Sequence, residues 1–171
     1  MSVRVVFVTL AFLITAMTPA WSADQTFLAF LHGDSPTTNT GSSAQGEAKL
    51  VVHGDRQSVD LTLTVHGLTI NDFASHLAHA PVGPVHLHIY AANGDSELLL
   101  PFPMGPSYAA TGDGFMLTVT NYPYADGAKI IASKIGFDDF VKALQAGAVV
   151  LNIHTQKFPD GEISGKVEAI H

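Results

Sequence analysis

Three histidines in two strand-like segments are the residues of this chain best suited to chemistry. Residues 85–90 read Val-His-Leu-His-Ile-Tyr and residues 151–155 read Leu-Asn-Ile-His-Thr, so both segments alternate apolar and polar side chains. A period of two is typical of a half-buried β-strand and places His86 and His88 on one face. If the two strands are neighbours, His154 joins them on the sheet surface. Three imidazoles are the minimum ligand set for a copper or zinc ion with an open position.

Other residues could support such a site. His76 and His79 would share a face of a helical turn, where they could complete or extend the site, although an exposed loop without a function would look the same. Glu162 could orient a ligating imidazole through its second ring nitrogen, or it could satisfy backbone donors in a turn. Asn152 could hydrogen-bond to a histidine. The alternative for the whole group is structural, with hydrogen-bonded imidazoles holding strands together.

Composition favours metal chemistry over nucleic-acid or membrane binding. The chain has 171 residues, nine of them histidine, with 15 Asp and Glu against 8 Lys and Arg. Without Arg4, which lies in the N-terminal apolar region, the balance is 7 − 15 = −8, and such a surface repels nucleic acid and anionic membranes. The chain has no cysteine, which excludes disulfides, thiolate ligands and thiol catalysis.

Residues 1–23 are predicted to be a signal peptide. Arg4 supplies the positive charge, residues 5–17 form an apolar core, and small side chains follow at Ala20, Ser22 and Ala23. We therefore expect a mature single domain over residues 24–171, periplasmic or secreted, that does not span a membrane. A retained N-terminal anchor is the alternative.

The rest of the chain predicts an all-β domain, an antiparallel β-sandwich or Greek-key barrel with one short helix. The helix is predicted at about 137–146, where four apolar residues follow helical spacing and Gly147 provides the stop. Residues 25–32 are expected to form an edge strand, and residues 122–134 are ambiguous. The other predicted strands are 46–53 and 58–66, joined as a hairpin, and 85–90, 97–102, 114–120, 148–155 and 162–170.

The C-terminal third resembles the CHRD domain, the module named from chordin. Residues 140–147 (Phe-Val-Lys-Ala-Leu-Gln-Ala-Gly) resemble its helix end, residues 150–155 (Val-Leu-Asn-Ile-His-Thr) its Asn-x-His-Thr strand, and residues 158–167 (Phe-Pro-Asp-Gly-Glu-Ile-Ser-Gly-Lys-Val) its Pro-x-Gly-Glu-Ile-x-Gly turn. Upstream, residues 65–68 (Val-His-Gly-Leu) and 85–89 (Val-His-Leu-His-Ile) resemble its Gly-Leu strand end and His-x-His strand.

The resemblance covers roughly residues 25–170 and implies an exported β-sandwich or barrel of the bacterial single-domain type. Residues 71–84 and 101–134 depart from the family pattern. The family name alone does not imply a function. In chordin these modules belong to a protein that binds growth factors, a role without an obvious counterpart in a single-domain chain.

Three functions are compatible with the sequence. The first is binding or buffering of a metal ion, with copper favoured and zinc less so, at His86, His88 and His154. The second is a structural or protein-interaction module without a metal, whose protein partner the sequence does not identify. The third is a copper redox enzyme resembling superoxide dismutase. A catalytic role is less favoured, because the mature chain has one arginine, Arg56, with which to steer an anionic substrate.

Overall fold

The computed structural model of the protein describes residues 23–35, 37–90 and 95–170. Its strands form one curled antiparallel sheet, a half-barrel, so the predicted all-β sandwich or barrel class is confirmed. The sheet order is β5-β4-β8-β9-β1-β2-β3-β7-β6, with β10 paired to β1. The strands are β1 Gln25–His32, β2 Gln45–His53, β3 Ser58–His66, β4 Val85–Tyr90, β5 Ser96–Phe102, β6 Tyr108–Ala110, β7 Gly114–Pro123, β8 Val149–Ile153, β9 Ile163–Lys166 and β10 Glu168–Ala169.

In the described part of the chain, three α-helices accompany the sheet: α1 Ser75–Ala78, α2 Tyr124–Ile130 and α3 Phe137–Gln145, with a 3-10 turn at Ile70–Asp72. The predicted helix is confirmed as α3, whose apolar side chains are buried and which is followed by Gly147 at a φ of 62°. The other two helices were not predicted. Of these, α2 occupies part of the segment that the sequence left ambiguous.

The predicted hairpin is confirmed, whereas the predicted edge position of β1 is wrong. Strands β2 and β3 pair continuously from Gln45↔His66 to His53↔Ser58. Strand β1 pairs with β2 along its whole length and, on its other side, with β9 at His32 and with β10 at Phe27 and Leu28. Because β9 and β10 come from the end of the chain, local sequence could not reveal that they pair with β1.

Strands β4 and β8 are neighbours, as the site prediction required. Their register runs from Val85↔Ile153 to Ile89↔Val149, with Leu87 opposite Leu151 in the core. Cross-strand partners share a face, so the apolar residues of both strands bury one side of the sheet. The other side carries the histidines.

Within the described residues, no helix has the length and apolar character needed to cross a membrane. The predicted signal peptide, residues 1–23, lies outside the described part of the chain except for its last residue, Ala23.

Candidate metal centre

His86, His88 and His154 converge in the structure as their spacing predicted. The ring centroids lie 4.7 Å apart for His86 and His154, 5.6 Å for His86 and His88, and 5.8 Å for His88 and His154. One ring nitrogen from each residue lies within 4.8 Å of the other two. Two nitrogens bound at ~2.1 Å to one ion can be at most about 4.2 Å apart. A shared ion would therefore draw the widest-spaced rings slightly closer.

The strand register accounts for this convergence. His86 and His88 are two residues apart on β4 and therefore point to the same face. His154 follows the last residue of β8, and its backbone N–H donates to the carbonyl of Pro84 at 2.9 Å. This bond continues the β4–β8 ladder by one step and brings His154 beside His86.

The histidine face is covered, which corrects the prediction of a site on the sheet surface. His86 is 4% exposed, His154 is 7% exposed, and His88 is half-buried. The same face continues across Asn152 to its β9 partner Ser164, which is fully buried. The Ser164 hydroxyl is hydrogen-bonded to the hydroxyls of Ser35, Thr37 and Thr38, so the loop after β1 folds over this part of the sheet.

Two backbone carbonyls fix the protonation of the buried rings. His86 Nε2 lies 2.6 Å from the carbonyl oxygen of Gly83, and His154 Nδ1 lies 2.8 Å from that of Pro159. A carbonyl can only accept, so both of these nitrogens carry the proton and donate. In the neutral rings, His86 Nδ1 and His154 Nε2 then hold the lone pairs. A ring N–H donated to a backbone carbonyl is the usual support of a metal-ligating histidine.

Three further ring nitrogens of the centre are buried without hydrogen-bond partners. They are His154 Nε2 and both ring nitrogens of His88. Buried polar atoms are nearly always hydrogen-bonded, and leaving one unpaired costs about 1–3 kcal/mol. In the neutral His88 ring one nitrogen carries the proton and the other holds a lone pair. A bound cation would satisfy that lone pair and the one on His154 Nε2, so the donor set fits a metal ion.

The centre is neutral at physiological pH. Burial, reinforced by repulsion from the neighbouring imidazoles, lowers the pKa of His86 to about 3 and that of His88 to about 4. Burial also lowers the pKa of His154. Neutral imidazole is the form that binds metal, so protons do not compete with an ion near pH 7.

The additional residues named from the sequence take different places. His79 Nδ1 donates to the carbonyl of Ser75 at 2.7 Å, and His76 is exposed on α1. The carboxylate of Glu162 accepts hydrogen bonds from the hydroxyls of Ser42 at 2.7 Å and Thr155 at 2.6 Å. Glu162 therefore ties two segments together, and the predicted task of orienting imidazoles falls to backbone carbonyls.

Asn152 lies opposite His86 in the β4–β8 ladder, and its side-chain N–H donates to the carbonyl of Asp160 at 3.4 Å. Gly161, at a φ of 123°, passes so close that a Cβ there would lie 2.4 Å from Asn152 Oδ1. Asn152 therefore stabilises the β8–β9 turn, whereas the sequence had suggested a hydrogen bond to a histidine.

Sequence reasoning missed the carbonyls of Gly83 and Pro159. Gly83 adopts a φ of 70°, a left-handed conformation that glycine reaches without strain. The Gly-Pro pair before β4 and the Pro-Asp-Gly turn after β8 were visible as turn signals. Nothing in those signals indicates where a carbonyl points.

The molecule thus belongs to the class of antiparallel half-barrels with a buried polar cluster on one face of the sheet. A family model for the CHRD domain matches residues 27–167, and the chain belongs to the CHRD domain family. No curated protein and no solved structure gives a significant match.

Proposed function

We propose that the protein is an exported metal-binding protein that holds one transition-metal ion through His86, His88 and His154. The observation that carries this proposal is the convergence of one ring nitrogen from each histidine within 4.8 Å, together with unpartnered buried nitrogens on His88 and His154. Export of a mature domain spanning residues 24–171 to the periplasm or beyond rests on the signal-like composition of residues 1–23.

Copper is the favoured ion and zinc the second choice. Imidazole nitrogen suits both ions, and the affinity of a given site for divalent first-row metals peaks at copper. The absence of cysteine removes the thiolates that many structural zinc sites use. Binding or buffering is favoured over redox catalysis, because the acidic surface would repel an anionic substrate such as superoxide.

A purely structural role for the histidines agrees less well with the hydrogen bonding. Imidazoles that only hold strands together should use their buried nitrogens in hydrogen bonds, as His86 Nε2 and His154 Nδ1 do. Both nitrogens of His88 lack such bonds. This half-buried residue is therefore the most informative one to replace.

The test is elemental analysis, followed by Cu(II) and Zn(II) titration of the chelator-treated mature protein without a histidine tag. We expect one tight equivalent of copper and weaker binding of zinc. His88→Ala should weaken copper binding at least about a hundredfold. His66→Ala is the matched control, because His66 is exposed and paired with Asp113 at 3.0 Å. It should bind copper as the wild type does.

Two results would overturn the proposal. One is wild-type binding no tighter than about 1 mM, equivalent to roughly 4 kcal/mol. The other is an equal loss in His88→Ala and His66→Ala, which would mean that copper binds non-specifically to surface histidines. Circular dichroism of each variant should confirm that the sheet is intact.

A further inference from the structure

Helix α1 is held directly against the strand end that carries His154. The backbone N–H of Ala74 donates to the carbonyl of His154 at 3.4 Å, and that of Gln156 donates to Asp72 at 2.8 Å. Phe73 and Thr155 form an isolated antiparallel bridge between these bonds. The start of α1 therefore runs alongside the residues that follow β8, in a fixed register.

Side-chain contacts add to this anchoring. Both the backbone N–H and the hydroxyl of Ser75, the first residue of α1, lie 3.3 Å from Gln156 Oε1 and donate to it. His76 is the next residue, so its Cα is fixed close to His154 while its side chain stays exposed.

We propose that His76 is the fourth protein ligand of the metal centre and closes its coordination sphere when the ion binds. This inference rests on the proposed metal-binding function. His76 is an exposed imidazole two residues after Ala74, whose backbone N–H donates to the carbonyl of His154. His79 is less suited, because its Nδ1 already donates to the carbonyl of Ser75.

Asp160 is a second exposed residue near the ring of His154. It follows Pro159, whose carbonyl accepts from His154 Nδ1. Asp160 therefore follows the residue that binds the protonated Nδ1 of His154, whereas the lone pair of that ring is on Nε2. This geometry favours His76 over Asp160 as the fourth ligand.

The proposal has a functional consequence. Catalytic metal sites keep a position open for water or substrate, whereas four protein ligands typify closed sites. A fourth histidine would therefore make this centre suited to storing or buffering copper. Because His76 is exposed, it could also be the first ligand that an ion meets on its way to the buried rings.

The experiment compares Cu(II) binding and the Cu(II) EPR spectrum in the mature wild type, His76→Ala, His79→Ala and Asp160→Asn. His76→Ala should weaken copper binding at least about tenfold and change the nitrogen hyperfine pattern of the bound ion. The effect of His79→Ala should be smaller. All three residues are exposed, so the variants should keep the fold.

The outcomes separate this inference from the proposed function. If the wild type binds copper tightly and His76→Ala matches it in affinity and EPR spectrum, the fourth-ligand proposal is wrong while the three-histidine site stands. Equal losses in His76→Ala and His79→Ala, or a loss in Asp160→Asn alone, would also overturn it. If the wild type itself fails to bind copper, both proposals fail together.

Discussion

Two groups of buried histidines in this molecule have opposite chemistry. In the candidate metal centre, His86 is 4% exposed and its neighbours are other imidazoles. His53, the last residue of β2, is 6% exposed, but carboxylates flank it on both sides. Its Nδ1 lies 2.9 Å from Asp24 and its Nε2 lies 3.1 Å from Asp60.

Burial and the neighbouring groups together set the pKa of each ring. Burial alone would lower the pKa of His53, but its interactions with Asp24 and Asp60 outweigh that effect and raise the pKa. The charged form of His53 is therefore more stable than that of a free imidazole, and in that form both nitrogens carry protons and neither can bind a metal. At the metal centre burial acts together with repulsion between imidazoles, so those rings stay neutral.

The largest expected effect is a fall in copper affinity when a histidine of the candidate metal centre is replaced, compared with replacement of His53. His154→Ala removes a ring whose Nε2 is buried and unpartnered, and we expect a loss of roughly a thousandfold, about 4 kcal/mol. His53→Ala should leave copper affinity unchanged, since both of its nitrogens are engaged with carboxylates. Calorimetric titration of both variants decides this. A comparable loss of copper affinity in His53→Ala would contradict the conclusion that only the three clustered histidines bind the ion.

The next effect concerns the turn that supports His86. Gly83→Ala should destabilise the protein by about 2–4 kcal/mol, because the residue has a φ of 70° and a Cβ there would lie 2.2 Å from the carbonyl oxygen of Phe102. Gly105→Ala is the matched control, since a Cβ at that position meets nothing within 4 Å. Urea unfolding should show a large change only for Gly83→Ala.

The pH dependence of stability should also distinguish the groups. The folded-state pKa of His88 is about 4, below its usual value of 6.5, so the unfolded chain binds the proton more tightly. The metal-free protein should therefore lose stability as the pH falls below about 6.5, by about 2 kcal/mol at pH 5 from this residue. His88→Gln lacks this titration. Relative to the wild type, the unfolding free energy of His88→Gln should therefore rise by about 2 kcal/mol between pH 7 and pH 5.

Much of the metal centre could be predicted from local sequence. Alternation in residues 85–90 was enough to place His86 and His88 on one face, whereas the pairing with the strand before His154 was a condition of the prediction. The burial of that face could not be predicted. Its cover includes Ser35, which contacts Ser164 from 129 residues away in the chain, and such long-range contacts leave no local pattern.

The missed elements have physical reasons of their own. Strand β6, Tyr108–Ala110, is three residues long, and only its pairing with β7 defines it. Helix α2 contains Gly127, a residue that disfavours helix in isolation. A Cβ at Gly127 would lie 2.3 Å from Leu100 Cδ1, so the glycine allows α2 to approach β5 closely. Tertiary packing here overrides local propensity.

The smallest expected effect is on stability, and it tests the interaction between His53 and the carboxylate of Asp24. Because the pKa of His53 is raised above 6.5 in the folded state, its contribution to stability is complete below that pH and is lost as the pH rises through the folded-state pKa. Asp24 is 56% exposed, so solvent screens the pair and Asp24→Asn should cost at most about 1 kcal/mol. Urea unfolding should show this loss at pH 6 and not at pH 9. An equal loss at both pH values would mean that Asp24 acts by packing or hydrogen bonding, and that the charge on His53 is not what distinguishes it from the metal centre.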